Sequence, residues 1–264
     1  MTIYLKTAEE IKIMQEGGKR HAEILAQLAS QVKPGVSTLI LEEEALRLIK
    51  GKGDKPAHLG YTPRGARRPF PAALCLSIND EIVHGIPNEN IRIIKEGDLV
   101  SIDLSLEHNG LITDSAITVP CGAVDDESRR LLEVTEKALY AGIKAAKPSN
   151  TVGDIGEAIT DIVERSGFSI ADDLSGHGVG YKIHEEPFVP NVAKKGEGPE
   201  IREGLVLAVE PMFCQGNATT KCLSDGYTYV TRDKSRSAHF EHTIAFTKKG
   251  LPAGKAGVEI LTKV

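Results

Sequence analysis

The sequence predicts an α+β domain built from two similar halves, and three observations carry that expectation. Two amphipathic helices are interrupted at Lys33-Pro34-Gly35, a second such pair is interrupted at Lys147-Pro148, and strand-like sequence follows each pair. Helices followed by sheet, stated twice, is the pattern of a layered fold with pseudo-two-fold symmetry. The 264 residues are near the upper size that one hydrophobic core supports. A single domain over 1–264 is therefore expected, with halves of approximately 1–123 and 124–264.

The first helix opens at Thr7-Ala8-Glu9-Glu10, a capping-box pattern, and carries Ile11, Met14, Gly18, His21, Leu25 and Leu28 on one stripe over residues 7–32. The second runs over about Thr38 to Lys50 and is stopped by Gly51 and Gly53. Strand-like segments follow at Ala73 to Ile78, Ile91 to Ile94 and Asp98 to Val119. The scheme recurs with a helix over about Asp126 to Ala146 and another opened by Thr151-Val152-Gly153-Asp154, with Ile155, Ile159 and Ile162 on one stripe. Strands are then expected at Leu205 to Glu210, Tyr227 to Thr231 and Phe240 to Thr247.

Composition narrows the class. Apolar residues at 41% and charged residues at 26% are those of a globular chain. No run approaches the roughly 20 apolar residues of a membrane span, and the first residues lack the apolar core of a signal peptide. The four cysteines show no C-x-x-C spacing, which points to free thiols in a reducing cytoplasm. The net charge is −5, but taking the four acids singled out below from the 37 leaves 33 against 32 basic residues. So balanced a remainder gives no reason to expect sequence-specific nucleic-acid binding.

Chemistry concentrates in a few strings. Leu99 to Asp114 reads as two strands about a tight turn near His108-Asn109-Gly110. Whichever turn length applies, cross-strand parity puts Asp103 and Asp114 on the same sheet face. Two neighbouring carboxylates repel unless a cation lies between them, and a divalent metal is the natural one. In Ser175-Gly176-His177-Gly178-Val179-Gly180, the glycines let the backbone pass close to an ion or substrate while His177 points inward. The string lacks the third glycine and the following helix of a phosphate-binding loop. Glu210 ends the apolar strand Leu205 to Val209, and Glu241 is embedded in His239-Phe240-Glu241-His242-Thr243. Either carboxylate, once buried, needs a salt bridge or a metal.

Together, Asn79-Asp80-Glu81-Ile82-Val83-His84-Gly85-Ile86-Pro87, the Asp103/Asp114 hairpin, Gly176-His177-Gly178-Val179-Gly180, Val209-Glu210-Pro211-Met212 and Phe240-Glu241-His242-Thr243 closely resemble the type I methionine aminopeptidases over essentially the whole chain. The resemblance implies the pita-bread fold, two pseudo-symmetric αβ halves around an antiparallel sheet. The implied activity is removal of the initiator methionine from nascent proteins, preferentially when the second residue is small. It implies Asp103, Asp114, His177, Glu210 and Glu241 as ligands of two divalent ions (Co, Mn, Fe or Zn), with Asp114 and Glu241 bridging. A hard, mainly oxygen donor set suits those ions. Glu210 is implied as the proton shuttle, with His84 and His184 as the histidines contacting the scissile region.

For the side-chain pocket the resemblance implies Tyr61, Phe70, Cys75 and Tyr227, with His58 standing where many relatives have Cys. Tyr227 replaces a common Trp and Ile183 a common aromatic, so a wider or less selective pocket is expected. Between Tyr61 and Phe70 the segment 62–69 looks longer than usual and holds Arg64, Arg67 and Arg68, a candidate for transient ribosome contact. The implied partners are the N-termini of nascent polypeptides, with no membrane, and the chain is expected to act as a cytoplasmic monomer. Two rival readings share the fold: an X-Pro aminopeptidase or proline dipeptidase, which usually carries a further N-terminal domain, and an inactive binding protein, which usually has lost ligands.

Overall fold

The structure is a computed structural model describing residues 2–63, 65–171, 173–247 and 257–263. Helix α1 (Ala8–Ser30) starts where the capping box predicts. Thr7 Oγ1 accepts from Glu10 N at 3.2 Å and Glu10 Oε2 from Thr7 N at 2.7 Å, satisfying two amides that the first turn leaves free. All six residues of its predicted stripe are buried. Ser37 caps α2 (Thr38–Gly51). The strands β1 (Lys55–Pro56), β2 (Leu74–Ile78), β3 (Glu81–Val83), β4 (Leu99–His108) and β5 (Leu111–Pro120) follow. The second run begins with α3 (Asp126–Ala145), capped by Asp125, and α4 (Val152–Glu164), whose Asp154 carboxylate accepts from the Thr151 amide at 3.0 Å. Ten strands come after: β6 (Ser169–Ile170), β7 (Ser175–Gly178), β8 (Glu185–Pro190), β9 (Val206–Val209), β10 (Met212–Cys214), β11 (Thr220–Cys222), β12 (Tyr229–Thr231), β13 (Ser237–His239), β14 (His242–Thr247) and β15 (Gly257–Ile260).

Two sheets organise the molecule. In one, β4 pairs with β1, β2 and β5, and α1 and α2 bury Ile24, Leu28, Leu41 and Ile49 against Leu74, Ile102 and Leu104. The other runs β15-β14-β9-β7-β8, and α3 and α4 bury Leu131, Leu139, Ile155 and Ile159 against Leu207, Val209 and Ile244. The sheets meet where β5 runs beside the segment entering β14, with Glu241 N donating to Ala116 O at 2.9 Å. Helices cover the far side of each sheet, so the junction is lined from the other side.

Three sequence expectations change. Ile91 to Ile94 forms no strand, only a single bridge between Ser37 and Ile93. Ile91 and Ile93 are both about half exposed while Ile94 is buried in the first core, so the run meets the core only at its last residue. The strand expected from Tyr227 starts at Tyr229, because the Asp225 carboxylate ties the amides of Tyr227 and Thr228 into a turn. The Gly176 to Gly178 string forms strand β7, and its glycines admit neighbouring backbone rather than an ion or substrate. A Cβ at Gly176 would lie 2.4 Å from Ala208 O, and one at Gly178 2.4 Å from Glu186 O.

Candidate metal centre and adjoining apolar slot

The β4–β5 hairpin closes through a two-residue turn with Asn109 and Gly110 at φ 49° and 83°, the left-handed pair that matches strand twist. Its register sets Asp103 opposite Ala116 and Asp114 opposite Ser105. The two aspartates therefore share a face as diagonal neighbours, as parity requires. From the second sheet, β7 delivers His177, the tip of β9 delivers Glu210, and the residue before β14 is Glu241. Thr243 Oγ1 accepts from Asp114 N at 2.8 Å and donates to Asp114 O at 2.6 Å, locking the two sheets together beside the site.

All five predicted ligands are buried, and they line one chamber of about 580 Å³. Donor atoms of Asp114, His177 and Glu241 lie within 4.8 Å of one another. His177 Nε2 is 3.3 Å from Glu210 Oε1 and 3.9 Å from Asp114 Oδ2. His177 Nδ1 lies 2.9 Å from Gly178 O. A carbonyl only accepts, so Nδ1 carries the proton and the Nε2 lone pair faces the acids, the tautomer a metal ligand needs. Asp103 stands slightly apart, in a group with His58 and Cys75.

Burial is the leading electrostatic fact. It raises the Asp114 carboxyl to about 7. Burial first, then the neighbouring carboxylates, holds Asp103, Glu210 and Glu241 well above the ordinary range. Burial and then His184 push His177 down to about 3, so its imidazole is neutral. Asp103 Oδ1 and Glu241 Oε1 are buried without hydrogen-bond partners. Orphaned carboxylate oxygens beside a neutral, correctly oriented imidazole are what divalent cations satisfy, so the residues present fit such ions.

A second cavity of about 370 Å³ adjoins the chamber, and the two share His58, Tyr61, Pro63, His84 and His184. It is lined by all seven residues expected to meet substrate: His58, Tyr61, Phe70, Cys75, His84, His184 and Tyr227. Phe70 and Tyr227 pack edge to face at 5.1 Å. Tyr61 Oη is 2.9 Å from His184 Nδ1, and the His184 ring stands edge-on to His177 at 4.5 Å. His84, after β3, has φ 59°; burial and then His184 lower it to about 4. Burial also lowers His184 to about 4, although its open face toward solvent limits that effect. Ile183 lines neither lobe and packs with Ile11, Met14 and Val179, so replacing an aromatic there does not widen the slot directly.

Several contributors escaped the sequence reading. Tyr229 lines the slot, and His239 Nε2 lies 3.4 Å from Glu210 Oε2. A histidine two positions before Glu241 in strand-like sequence was the available signal for the latter. Asn191 Nδ2 donates to Glu210 O at 3.0 Å. Glu185 fixes the turn presenting His184, accepting from the amides of Tyr181 and Lys182 while pairing with buried Lys6 at 2.5 Å. Nothing local in the sequence links residue 6 to residue 185.

A helix-backed pair of sheets meeting at a chamber lined by buried acids and an imidazole defines a metallohydrolase. The model of metallopeptidase family M24 matches residues 12–248, and the chain belongs to that family, on its methionine aminopeptidase branch. It is 47% identical to a methionine aminopeptidase of Aquifex aeolicus over 95% of this chain and 97% of that one. It superposes on the crystal structure of a methionine aminopeptidase from Thermotoga maritima with TM-score 0.92 at 38% identity, covering all of both chains. A prolidase from Pyrococcus furiosus superposes with TM-score 0.74 at 22% identity over 98% of this chain and 65% of that one, a likeness of fold alone. The fold is the pita-bread fold.

Proposed function

We propose that this chain removes the initiator methionine from nascent polypeptides, preferentially when the second residue is small. One observation carries the reading: a slot walled by Phe70, Tyr227, Tyr61, His58 and Cys75 opens directly onto the acid chamber. A single unbranched apolar side chain with a polarizable sulfur suits a ring-lined slot of that size. Seating it there leaves the first peptide bond at the junction, beside His84 and His184.

Asp103, Asp114, His177, Glu210 and Glu241 would hold two divalent ions drawn from Co, Mn, Fe or Zn, with Asp114 and Glu241 between them. Such ions offset the four carboxylates, polarise the scissile carbonyl and make hydroxide available near neutral pH. Glu210 sits where a proton must move. There it would take a proton from the attacking water and return it to the departing amine. With Tyr61 Oη donating to His184 Nδ1, the opposite nitrogen of the neutral ring carries a proton to hydrogen-bond the carbonyl oxygen as charge develops. His84, on the other wall, faces the leaving nitrogen.

The nascent chain's N-terminus is thus the proposed partner, met by a monomer in the cytoplasm. Among the described residues no helix is long and apolar enough to cross a membrane. For transient ribosome contact the cations available are fewer than the sequence suggests. Arg68 is committed to Glu89, Arg64 lies outside the described residues, and exposed Arg67 carries the proposal. Unchanged ribosome co-sedimentation after replacing Arg64 and Arg67 would remove it.

The test is product release from Met-Ala-Ser, Met-Lys-Ser and Ala-Pro peptides with each metal supplied. Methionine from the first peptide and little product from the others is expected. Cleavage of the Ala-Pro peptide alone would overturn the assignment in favour of an X-Pro activity.

A further inference from the structure

We propose that His58, Cys75 and Asp103 form an additional metal site, suited to a divalent ion that accepts thiolate, such as zinc or cadmium, and that filling it closes the apolar slot to substrate. Cys75 on β2 is directly opposite Asp103 on β4. His58 reaches the same point from the end of β1, which follows β2 along the same edge of β4, where Ala57 N donates to Ser105 O at 2.9 Å. Its Nδ1 is 3.9 Å from Cys75 Sγ. One donor atom from each of the three lies within 4.8 Å of the others, and all three residues are buried.

An imidazole, a thiolate and a carboxylate are the donors zinc takes in tetrahedral sites, whereas the four-carboxylate chamber favours harder ions. The outer contacts of His58 are those of a ligand. Ser105 Oγ donates to Asp114 Oδ1 at 2.8 Å and lies 3.0 Å from His58 Nε2. A hydroxyl has one proton, so the serine oxygen accepts from Nε2–H and the Nδ1 lone pair is left facing Cys75. Asp103 Oδ1 has no hydrogen-bond partner although buried, and a carboxylate with two oxygens serves two neighbouring ions. On binding, the thiol proton leaves to solvent, and the thiolate together with the shared Asp103 carboxylate offsets part of the 2+ charge. His58 and Cys75 both line the slot, so the fourth position of a tetrahedral ion opens into the space a substrate side chain needs. Only this blocking step rests on the proposed function; the ion site itself does not.

The experiment uses the manganese-loaded enzyme in a Cys222→Ser background, which removes the exposed thiol, titrated with Cd²⁺. Thiolate-to-cadmium charge transfer in the ultraviolet should rise to saturation at one cadmium per chain and be absent in Cys75→Ser. His58→Gln should weaken the binding at least about tenfold, and free methionine should raise the apparent Kd by competing for the slot. Hydrolysis of Met-Ala-Ser should fall in step with the absorption. No absorption, or absorption that persists in Cys75→Ser, refutes the site. Cys75-dependent absorption with undiminished hydrolysis refutes the closing of the slot, whereas the absorption itself is independent of which peptides the enzyme prefers.

Discussion

His177 and Asp114 show how single side chains are prepared before any ion arrives. A carbonyl holds one proton of the imidazole, a threonine clamps the aspartate's backbone, and burial keeps both side chains reluctant to be charged. Ion binding must then displace protons, and Asp114, which titrates at about 7 without metal, is ionised above that value. Metal affinity should therefore fall as pH drops from 8 to 6, by up to about tenfold per unit for each proton displaced. Isothermal titration with Mn²⁺ across that range measures it, and a flat profile contradicts the assignment. Asp114→Asn should lose metal and activity together, by at least about a hundredfold; an active variant would refute the bridging role. His21 offers a stability test away from the chemistry. Burial, then His242, lowers it to about 3, against about 6.5 unfolded. Between those values the unfolded chain binds the extra proton, so its contribution is complete above about 6.5 and is lost as pH falls, at up to about 1.4 kcal/mol per unit. His21→Gln should flatten the slope of unfolding free energy against pH by that amount in urea titrations, whatever its offset.

At the scale of elements, the segment joining Tyr61 to Phe70 is a roof rather than a free basic loop. Phe70 N donates to Tyr61 O at 2.8 Å, Pro63, Gly65 and Ala66 line the slot, and Arg68 is the clasp. Arg68 pairs with Glu89 through both nitrogens, donates to Asp225 O at 3.3 Å, and its carbonyl accepts from Tyr227 Oη. The ion pair is partly exposed and worth little by itself; its role is to hold Tyr227 and the roof in one arrangement. Arg68→Ala should raise KM for Met-Ala-Ser about three- to tenfold with a smaller effect on kcat, and lower the preference for methionine over leucine at the first position. Unchanged KM and preference would make the clasp ornamental. Legibility also divides by element. The helix α1 was readable because capping and stripe are local, and the hairpin because parity fixes faces regardless of turn length. Strand β7 was not, since its glycines answer to the backbones of residues 186 and 208.

For the whole molecule, the two sheets converge on a chamber whose carboxylates repel one another without cations. Divalent ions that bind only the folded chain should stabilise it by about 2.7 kcal/mol at a hundred times their Kd. That corresponds to roughly 5–10 °C in Tm for a chain of this size. Calorimetry after chelation and after restoring Mn²⁺ measures the difference, and equal Tm values would contradict ligation by the buried acids. Taken by itself, the sequence determined the α+β class, the helix starts, the common face of Asp103 and Asp114, and, through motif resemblance, the family. These rest on periodicity, capping and short-range order, which are properties of neighbouring residues. Only the tertiary structure decided that Asp103 also meets His58 and Cys75, that Lys6 steadies the turn of His184, that His239 approaches Glu210 and that Arg68 is a clasp. Each of those joins residues distant in the chain, and which distant residues meet is set by strand register and sheet packing rather than by any local pattern.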